Sequence, residues 1–439
     1  MRTEERSGNR QSEAILRHDM LGIGFGPANL ALAIALQEQS IPPGSQAPSR
    51  FAFLERKNEF GWHRDMLLDD ATMQVSFLKD LATLRNPQSR FTFINFLHEQ
   101  GRLQDFINFK SFYPLRIEFH EYLSWAARLF EHLVHYRENV VSIEPQIDQG
   151  TVHGFLVRND RGSARSARHV VCAPGLRPSL PEHVSLGQRI WHSSQLLSRL
   201  ATLQASTDSN VGRLSFAVVG GGQSAAEVIA LLHRRFDNAN IHSIHSRFGF
   251  APSDSSPFIN QIFDQEAIRV YHRCPVDVRA RIMRDHRNTN YSVVDEELIL
   301  QLYRLAYRDR LKNAERMRFH PLSRVKSADE GDNQVHLEIH NAASQERYPL
   351  GVDIAIFATG YRSVGADELL GPAKELCVYD RSGNPLIDEH YKLQLKVPGS
   401  ATLFVQGATE HSHGIGSTLL SNVAHRAQVI ADQLLKLSI

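Results

Sequence analysis

His18-Asp19-Met20-Leu21-Gly22-Ile23-Gly24-Phe25-Gly26-Pro27 reads as a short strand running into a glycine-rich turn. Such a turn needs glycine because the backbone bends sharply and approaches a pyrophosphate closely, leaving the phosphates against the positive end of the next helix. That helix is expected over Ala28 to Gln39, with Leu30, Ala33 and Ile34 on one face. A polar loop with prolines, Ile41 to Ser49, leads to Phe51-Ala52-Phe53-Leu54-Glu55, a buried strand ending in a carboxylate. Glu55 stands where such a unit places the acid that hydrogen-bonds a ribose hydroxyl. Strand, turn, helix, strand and acid in this order predict a dinucleotide site built on Gly22, Gly24, Gly26, Pro27 and Glu55.

Nearly two hundred residues later the pattern returns in Phe216-Ala217-Val218-Val219-Gly220-Gly221-Gly222-Gln223-Ser224-Ala225-Ala226-Glu227. It fits GxGxxA, with alanine where helix and strand pack closely. The strand that follows, Ile241 to His245, ends in Ser246 and Arg247 instead of an acid. An arginine there suits a ribose phosphate, which favours NADPH over NADH. The predicted NADPH contacts are Gly220, Gly222, Gln223, Ser224, Ala225, Glu227, Ser246 and Arg247. Arg168 to Ala173 and Leu214 to Val219 are continuous apolar runs of the kind found in parallel sheets. The fold class is therefore α/β, with two Rossmann-like dinucleotide-binding domains.

A chain of 439 residues fits two or three domains. The expected division is a flexible N-terminus over 1–17, a first nucleotide domain over 18–206 and a second over 207–351. The first domain then resumes over 352–439 and ends in a helix from Leu419 to Leu435. A helical insertion is expected over 253–315, with periodicity through Leu298, Leu302 and Leu305. Val352 to Tyr361 reads as one apolar strand, and Trp62 to Arg116 as an aromatic-rich cover for the cofactor and substrate region. A net charge of +1 argues against nucleic acid as a partner and for small molecules. No apolar run approaches the roughly 20 residues of a membrane span, and a cytoplasmic location is expected. Cys172, Cys274 and Cys377 are far apart, so no CxxC redox pair exists. The 22 histidines include His411 and His413, but no third ligand at metal spacing accompanies them, and no metal is expected.

Beyond the two turns, the ordered motifs GIGFGPAN (Gly22 to Asn29), MQVSFLKDLATLRN (Met73 to Asn86), FYPLRIEF (Phe112 to Phe119), VGGGQSAAE (Val219 to Glu227), SPFINQIF (Ser256 to Phe263), RNTNYSVVD (Arg287 to Asp295), Asp353 to Tyr361 and His411 to Asn422 cover almost the whole chain. This set resembles the flavin-dependent N-hydroxylating monooxygenases, especially the L-ornithine N-hydroxylases of hydroxamate siderophore pathways. The resemblance makes the first turn an FAD site and the second an NADPH site. It implies that NADPH reduces FAD, oxygen adds at flavin C(4a), and a neutral side-chain amine attacks the distal oxygen while NADP+ stays bound. No residue then serves as acid, base or nucleophile; Asn290 and Gln74 position the reactants.

The same resemblance implies that Lys79 pairs with the amino-acid carboxylate, that Asn260 meets its α-amino and carboxylate end, and that Asn290 holds the reacting nitrogen beside the nicotinamide. Gln74, Trp62, His63, Thr359, Gly360, His413, Gly414, Ser417 and Leu419 are implied FAD contacts, and Tyr361 with Asn290 implied NADPH contacts. A homo-oligomer, tetrameric by the same resemblance, is expected. Many relatives carry serine after the HG-Leu or HG-Ile of the last motif; here Gly416 precedes Ser417. Lysine, putrescine and cadaverine stay open as substrates, since one methylene gives only about 1 to 3 kcal/mol of discrimination. A flavin reductase without oxygenation is the more distant alternative.

Overall fold

The computed structural model of the protein describes residues 17–39, 50–206 and 213–438. The expected flexible N-terminus, apart from Arg17, and the 41–49 loop lie outside the described residues. Two sheets form the frame. In the first, the parallel strands Val134–Tyr136, Phe51–Glu55, Arg17–Ile23 and Ala164–Cys172 lie in that order. The last of these pairs along its first half with the antiparallel strand Thr151–Asn159, and along its second half with Thr402–Val405. Thr402–Val405 thus brings the last part of the chain beside the first glycine turn.

The second sheet is wholly parallel, in the order Met317–His320, Asn240–Ile244, Ser215–Val219, Ile354–Phe357 and Ile190–His192. Its last two strands correct the division read from sequence. Ile190–His192 was expected within 18–206 and Ile354–Phe357 within 352–439, yet both hydrogen-bond into the second sheet. The boundaries at 206/207 and 351/352 therefore cut across it. A three-residue strand is too short to show a period, which is why Ile190–His192 escapes a pattern reading.

The run Val352 to Tyr361 is not one strand either. Arg347–Val352 closes a three-stranded antiparallel sheet with Ser323–Glu330 and Val335–Asn341. Ile354–Phe357 then enters the parallel sheet, and Tyr361–Ser363 pairs with Leu176–Pro178. Gly360 turns the chain between the last two with φ +81, a conformation open to glycine at little cost.

Within 253–315 lie the helices Pro257–Asn260, Gln265–Arg273, Val276–Asp285 and Glu296–Leu311. Helix Pro27–Gln39 packs against the closing helix Val423–Ser438 and an aromatic group that includes Phe91, Phe93, Phe96, Phe119, Tyr122 and Phe130. Phe93 and Phe119 stack at 5.7 Å, and Phe93 meets Tyr122 edge-on at 5.4 Å. The aromatic-rich segment after Trp62 thus supplies core to the first lobe. Among the described residues no helix is long and apolar enough to cross a membrane.

Candidate functional site

The first glycine turn is locked from both sides. Gly24 has φ +80, and a Cβ there would stand 2.3 Å from the Ala173 carbonyl oxygen, so only glycine fits. Asn29 Nδ2 donates to the Gly24 carbonyl at 2.7 Å and to that of Ile23 at 3.3 Å. Glu55, 7% exposed, accepts from the Phe25 N–H at 2.7 Å through one oxygen and from the Lys57 N–H at 2.9 Å through the other. The acid read as a ribose ligand therefore also braces the turn, with lone pairs to spare for a hydroxyl. Space is open at Gly26, where a Cβ would meet nothing within 4 Å. A close-approach turn, a helix N-terminus at Pro27 and a buried acid together fit an FAD pyrophosphate and ribose.

Rings from several segments meet around Tyr361 and Trp62. Tyr361 meets His63 at 6.0 Å and His192 at 5.1 Å, both edge-on, and Trp62 packs on Phe119 at 6.3 Å. His192 Nε2 donates to the Gly360 carbonyl at 2.9 Å, and its Nδ1 accepts the Ser194 N–H at 3.1 Å. Burial lowers its pKa, so the ring is a neutral strut for the Thr359-Gly360-Tyr361 turn. Thr359 is committed too, donating to the Ser179 carbonyl.

At the second turn Gly220 has φ +148, and a Cβ would stand 2.4 Å from the Ala358 carbonyl oxygen. Gly222 caps helix Gln223–Arg235, which begins with Gln223, Ser224 and the fully buried Ala225. A Cβ on Gly222 would lie 3.3 Å from Ser292 Cα, so the loop carrying Asn290 arches over this turn. Arg247 Nη1 donates to the Ser292 carbonyl at 2.9 Å, with exposed Ser246 beside it. Both remain accessible to a phosphate.

Glu227, expected as an NADPH contact, has a further partner. Its carboxylate, 6% exposed, forms a two-pronged ion pair with Arg116 at 2.7 and 2.9 Å. An acid one helical turn inside a phosphate site would repel that phosphate; the arginine offsets its charge. Arg116 also donates to the Met66 carbonyl at 2.9 Å, and its pair with Glu227 ties the lobes together.

Beside this pair runs a chain of amides. Gln223 Nε2 donates to Glu227 and to Asp295 Oδ2, each at 3.0 Å, and Gln223 Oε1 accepts the Asp295 N–H at 2.9 Å. Gln74 Nε2, from the first lobe, donates to Asp295 Oδ1 at 3.2 Å. Burial raises the Asp295 pKa. Gln74, placed near the flavin by resemblance, thus stands at one end of a short hydrogen-bonded path that runs through Asp295 to Gln223 and Glu227.

Residues 16–363 match the family described as L-lysine 6-monooxygenase/L-ornithine 5-monooxygenase. The chain belongs to this family. The L-ornithine N(5)-monooxygenase of Burkholderia cepacia is 40% identical over 405 residues, which cover 90% of this chain and 89% of that protein. The Pseudomonas aeruginosa L-ornithine N(5)-monooxygenase is 36% identical over 424 residues, 95% and 93% of the two chains. The ornithine N-hydroxylase of Kutzneria sp. 744, solved with reduced FAD, NADP+ and L-ornithine, superposes with a TM-score of 0.90 at 40% identity, covering 96% of this chain and 100% of its own.

In this lysine/ornithine monooxygenase the insertion approaches the last motif of the FAD lobe. Half-buried Lys79 lies with Nζ 6.0 Å from the centroid of the Phe263 ring. Asn260, three residues earlier, donates to the Ser255 carbonyl at 3.0 Å and keeps its carbonyl end unengaged. A Cβ on Gly416 would stand 2.8 Å from Asn422 Nδ2 and 3.5 Å from Phe263 Cα. That crowding gives a physical reason for glycine at this position. Ser417 is buried, accepting the Thr409 hydroxyl at 3.0 Å, and half-buried Leu419 follows.

His413 and Gly414, expected as FAD contacts, pack against the insertion. His413 stacks on Tyr391 at 4.1 Å, and the Gly414 Cβ position lies 3.1 Å from the Tyr271 ring. Both line an apolar cavity of about 260 Å³ with Phe258, Ile262, Ile268 and Ile282. Burial pushes the His413 pKa down to about 3, so the ring is neutral.

Sequence reading missed Arg116 and Asp295 as site residues. Both sit inside the quoted motifs. An arginine in the first turn of helix Arg116–Arg128 opposes the helix dipole, and that mismatch was the available signal of a partner elsewhere. Asp295 directly precedes helix Glu296–Leu311 and reads as an ordinary cap, yet its side chain caps nothing and goes to Gln74 and Gln223.

Proposed function

We propose that this protein hydroxylates the side-chain amine of L-ornithine, consuming NADPH and O2 with FAD as its cofactor. The observation that carries this reading is the joining of Gln74, in the first lobe, to Gln223 at the second glycine turn through Asp295. Bound FAD takes a hydride from NADPH and activates oxygen; the chain binds, orients and excludes water. The first turn holds the FAD pyrophosphate, and Gly220 to Ala225 with Arg247 hold NADPH. Lys79 meets the substrate carboxylate through a charge-assisted hydrogen bond, and Asn260 takes the α-amino end. Asn290 keeps the reacting nitrogen between the cofactors in its neutral form, whose lone pair is the nucleophile.

The product is a hydroxylamine, the precursor of an iron-chelating hydroxamate, which supports a place in siderophore or related biosynthesis. Its demand for NADPH supports a cytoplasmic location. Exposed Leu300, Tyr303, Tyr307 and Leu311 form one stripe on helix Glu296–Leu311 and support self-association, as a tetramer in our reading.

The test is a panel of amines offered to FAD-loaded protein with NADPH, assayed for hydroxylamine. Ornithine should exceed lysine, putrescine and cadaverine. A putrescine signal with none from ornithine would move the substrate to a diamine, because Lys79 would then have no carboxylate to meet.

A further inference from the structure

A charged side chain withdrawn from water without an opposite charge is costly and calls for a counter-ion. Arg426, in the first turn of the closing helix Val423–Ser438, is 4% exposed. Its Nε donates to Gln406 Oε1 at 3.2 Å and its Nη1 to the Ser417 carbonyl. Among the described residues no carboxylate pairs with it; the ionisable groups that act on it are the Tyr391 phenol and the His413 ring, both kept neutral by burial. Arginine does not shed its proton to escape this cost. The fold therefore maintains a buried positive charge with no acid of its own.

Its position indicates what the charge is for. Gln406 Nε2 donates to Asn29 Oδ1 at 2.9 Å, and Asn29 holds the Gly24 carbonyl at 2.7 Å. Arg426 is thus two side chains from the first glycine turn. Through Ser417 it also holds the loop that follows Gly407, which continues from Thr402–Val405 beside that turn. The turn's own helix N-terminus already serves the pyrophosphate. The group of FAD whose charge changes is the isoalloxazine. A hydride brings two electrons and one proton, so as NADPH becomes NADP+ the ring gains one net negative charge.

We infer that Arg426 is the built-in counter-charge for the reduced isoalloxazine, a positioning residue that favours flavin reduction through the field it sets, without touching the substrate. This rests on the first turn being the FAD site.

The test is the midpoint potential of the bound flavin, measured by dye equilibration on FAD-loaded wild type and on Arg426→Met, Arg426→Lys and Gln406→Glu. The last keeps side-chain volume and sets a carboxylate against Arg426, so it cancels the charge if the methionine variant fails to fold. Arg426→Met and Gln406→Glu should each lower the reduced-to-oxidised ratio about tenfold, or about 30 mV for a two-electron couple, and Arg426→Lys should retain most of the wild-type value. An unchanged potential in a variant that binds FAD would overturn the inference. Weaker FAD binding by the same factor in both redox states would overturn it too, by assigning Arg426 to the pyrophosphate. Wild-type protein unable to bind FAD would instead sink the reading of the first turn.

Discussion

Lys79 tests the substrate end of the site one side chain at a time. It is half-buried beside Phe263, and the nearest motif of the insertion carries Asn260. Loss of a charge-assisted hydrogen bond costs about 1.5 to 3 kcal/mol. Lys79→Ala should therefore raise the ornithine KM by roughly tenfold or more, while flavin reduction by NADPH alone proceeds as in wild type. Ornithine dependence that stays the same in steady-state kinetics would remove Lys79 from the site. At this scale the glycines were legible in the sequence, because Gly24 and Gly220 occupy conformations and close contacts that other residues cannot share. Arg116, Asp295 and Arg426 were not, because their partners lie 111, 221 and 20 residues away. No local spacing records such pairings.

Between elements, the Arg116 to Glu227 ion pair fastens helix Arg116–Arg128 of the first lobe to helix Gln223–Arg235 of the second. Both side chains are largely withdrawn from water, so removing one leaves the other charge buried and unpaired. Breaking such a pair typically costs about 3 to 5 kcal/mol. Glu227→Gln should show that loss in urea unfolding followed by circular dichroism; a change below about 1 kcal/mol would mark the pair as solvent-screened. The two βαβ units and the helical insertion were readable because their periods differ and their turns are chemically marked. The strand run ending at Tyr361 was misread for a physical reason. Asp353 is the one polar residue between Val352 and Ala358 and marks the change of sheet, but a single charge within an apolar run does not reveal the new hydrogen-bond partners.

The whole molecule carries several buried neutral histidines. Burial lowers His169 and His242 to about 4 and His413 to about 3, each 7% exposed or less. Their folded pKa lies below the unfolded value of 6.5. Between pH 6.5 and about 4 the unfolded chain binds protons that the folded protein refuses. Stability is thus lost as pH falls through that window, at about 1.4 kcal/mol per pH unit for each such histidine. Asp80 and Asp295, raised by burial, act in the opposite direction. The comparison is therefore differential: His413→Asn should flatten the decline in the urea midpoint between pH 7 and pH 5, and an identical slope would contradict the assignment.

The central claim is that both nucleotide turns serve one oxygenation of ornithine. Its most direct measurement is the stoichiometry of a single reaction mixture: NADPH oxidised, O2 consumed and N-hydroxyornithine formed by the FAD-loaded protein. The account predicts that the three match mole for mole. NADPH and O2 consumed with hydrogen peroxide as the sole product, and no hydroxylamine, would contradict it and leave a flavin reductase.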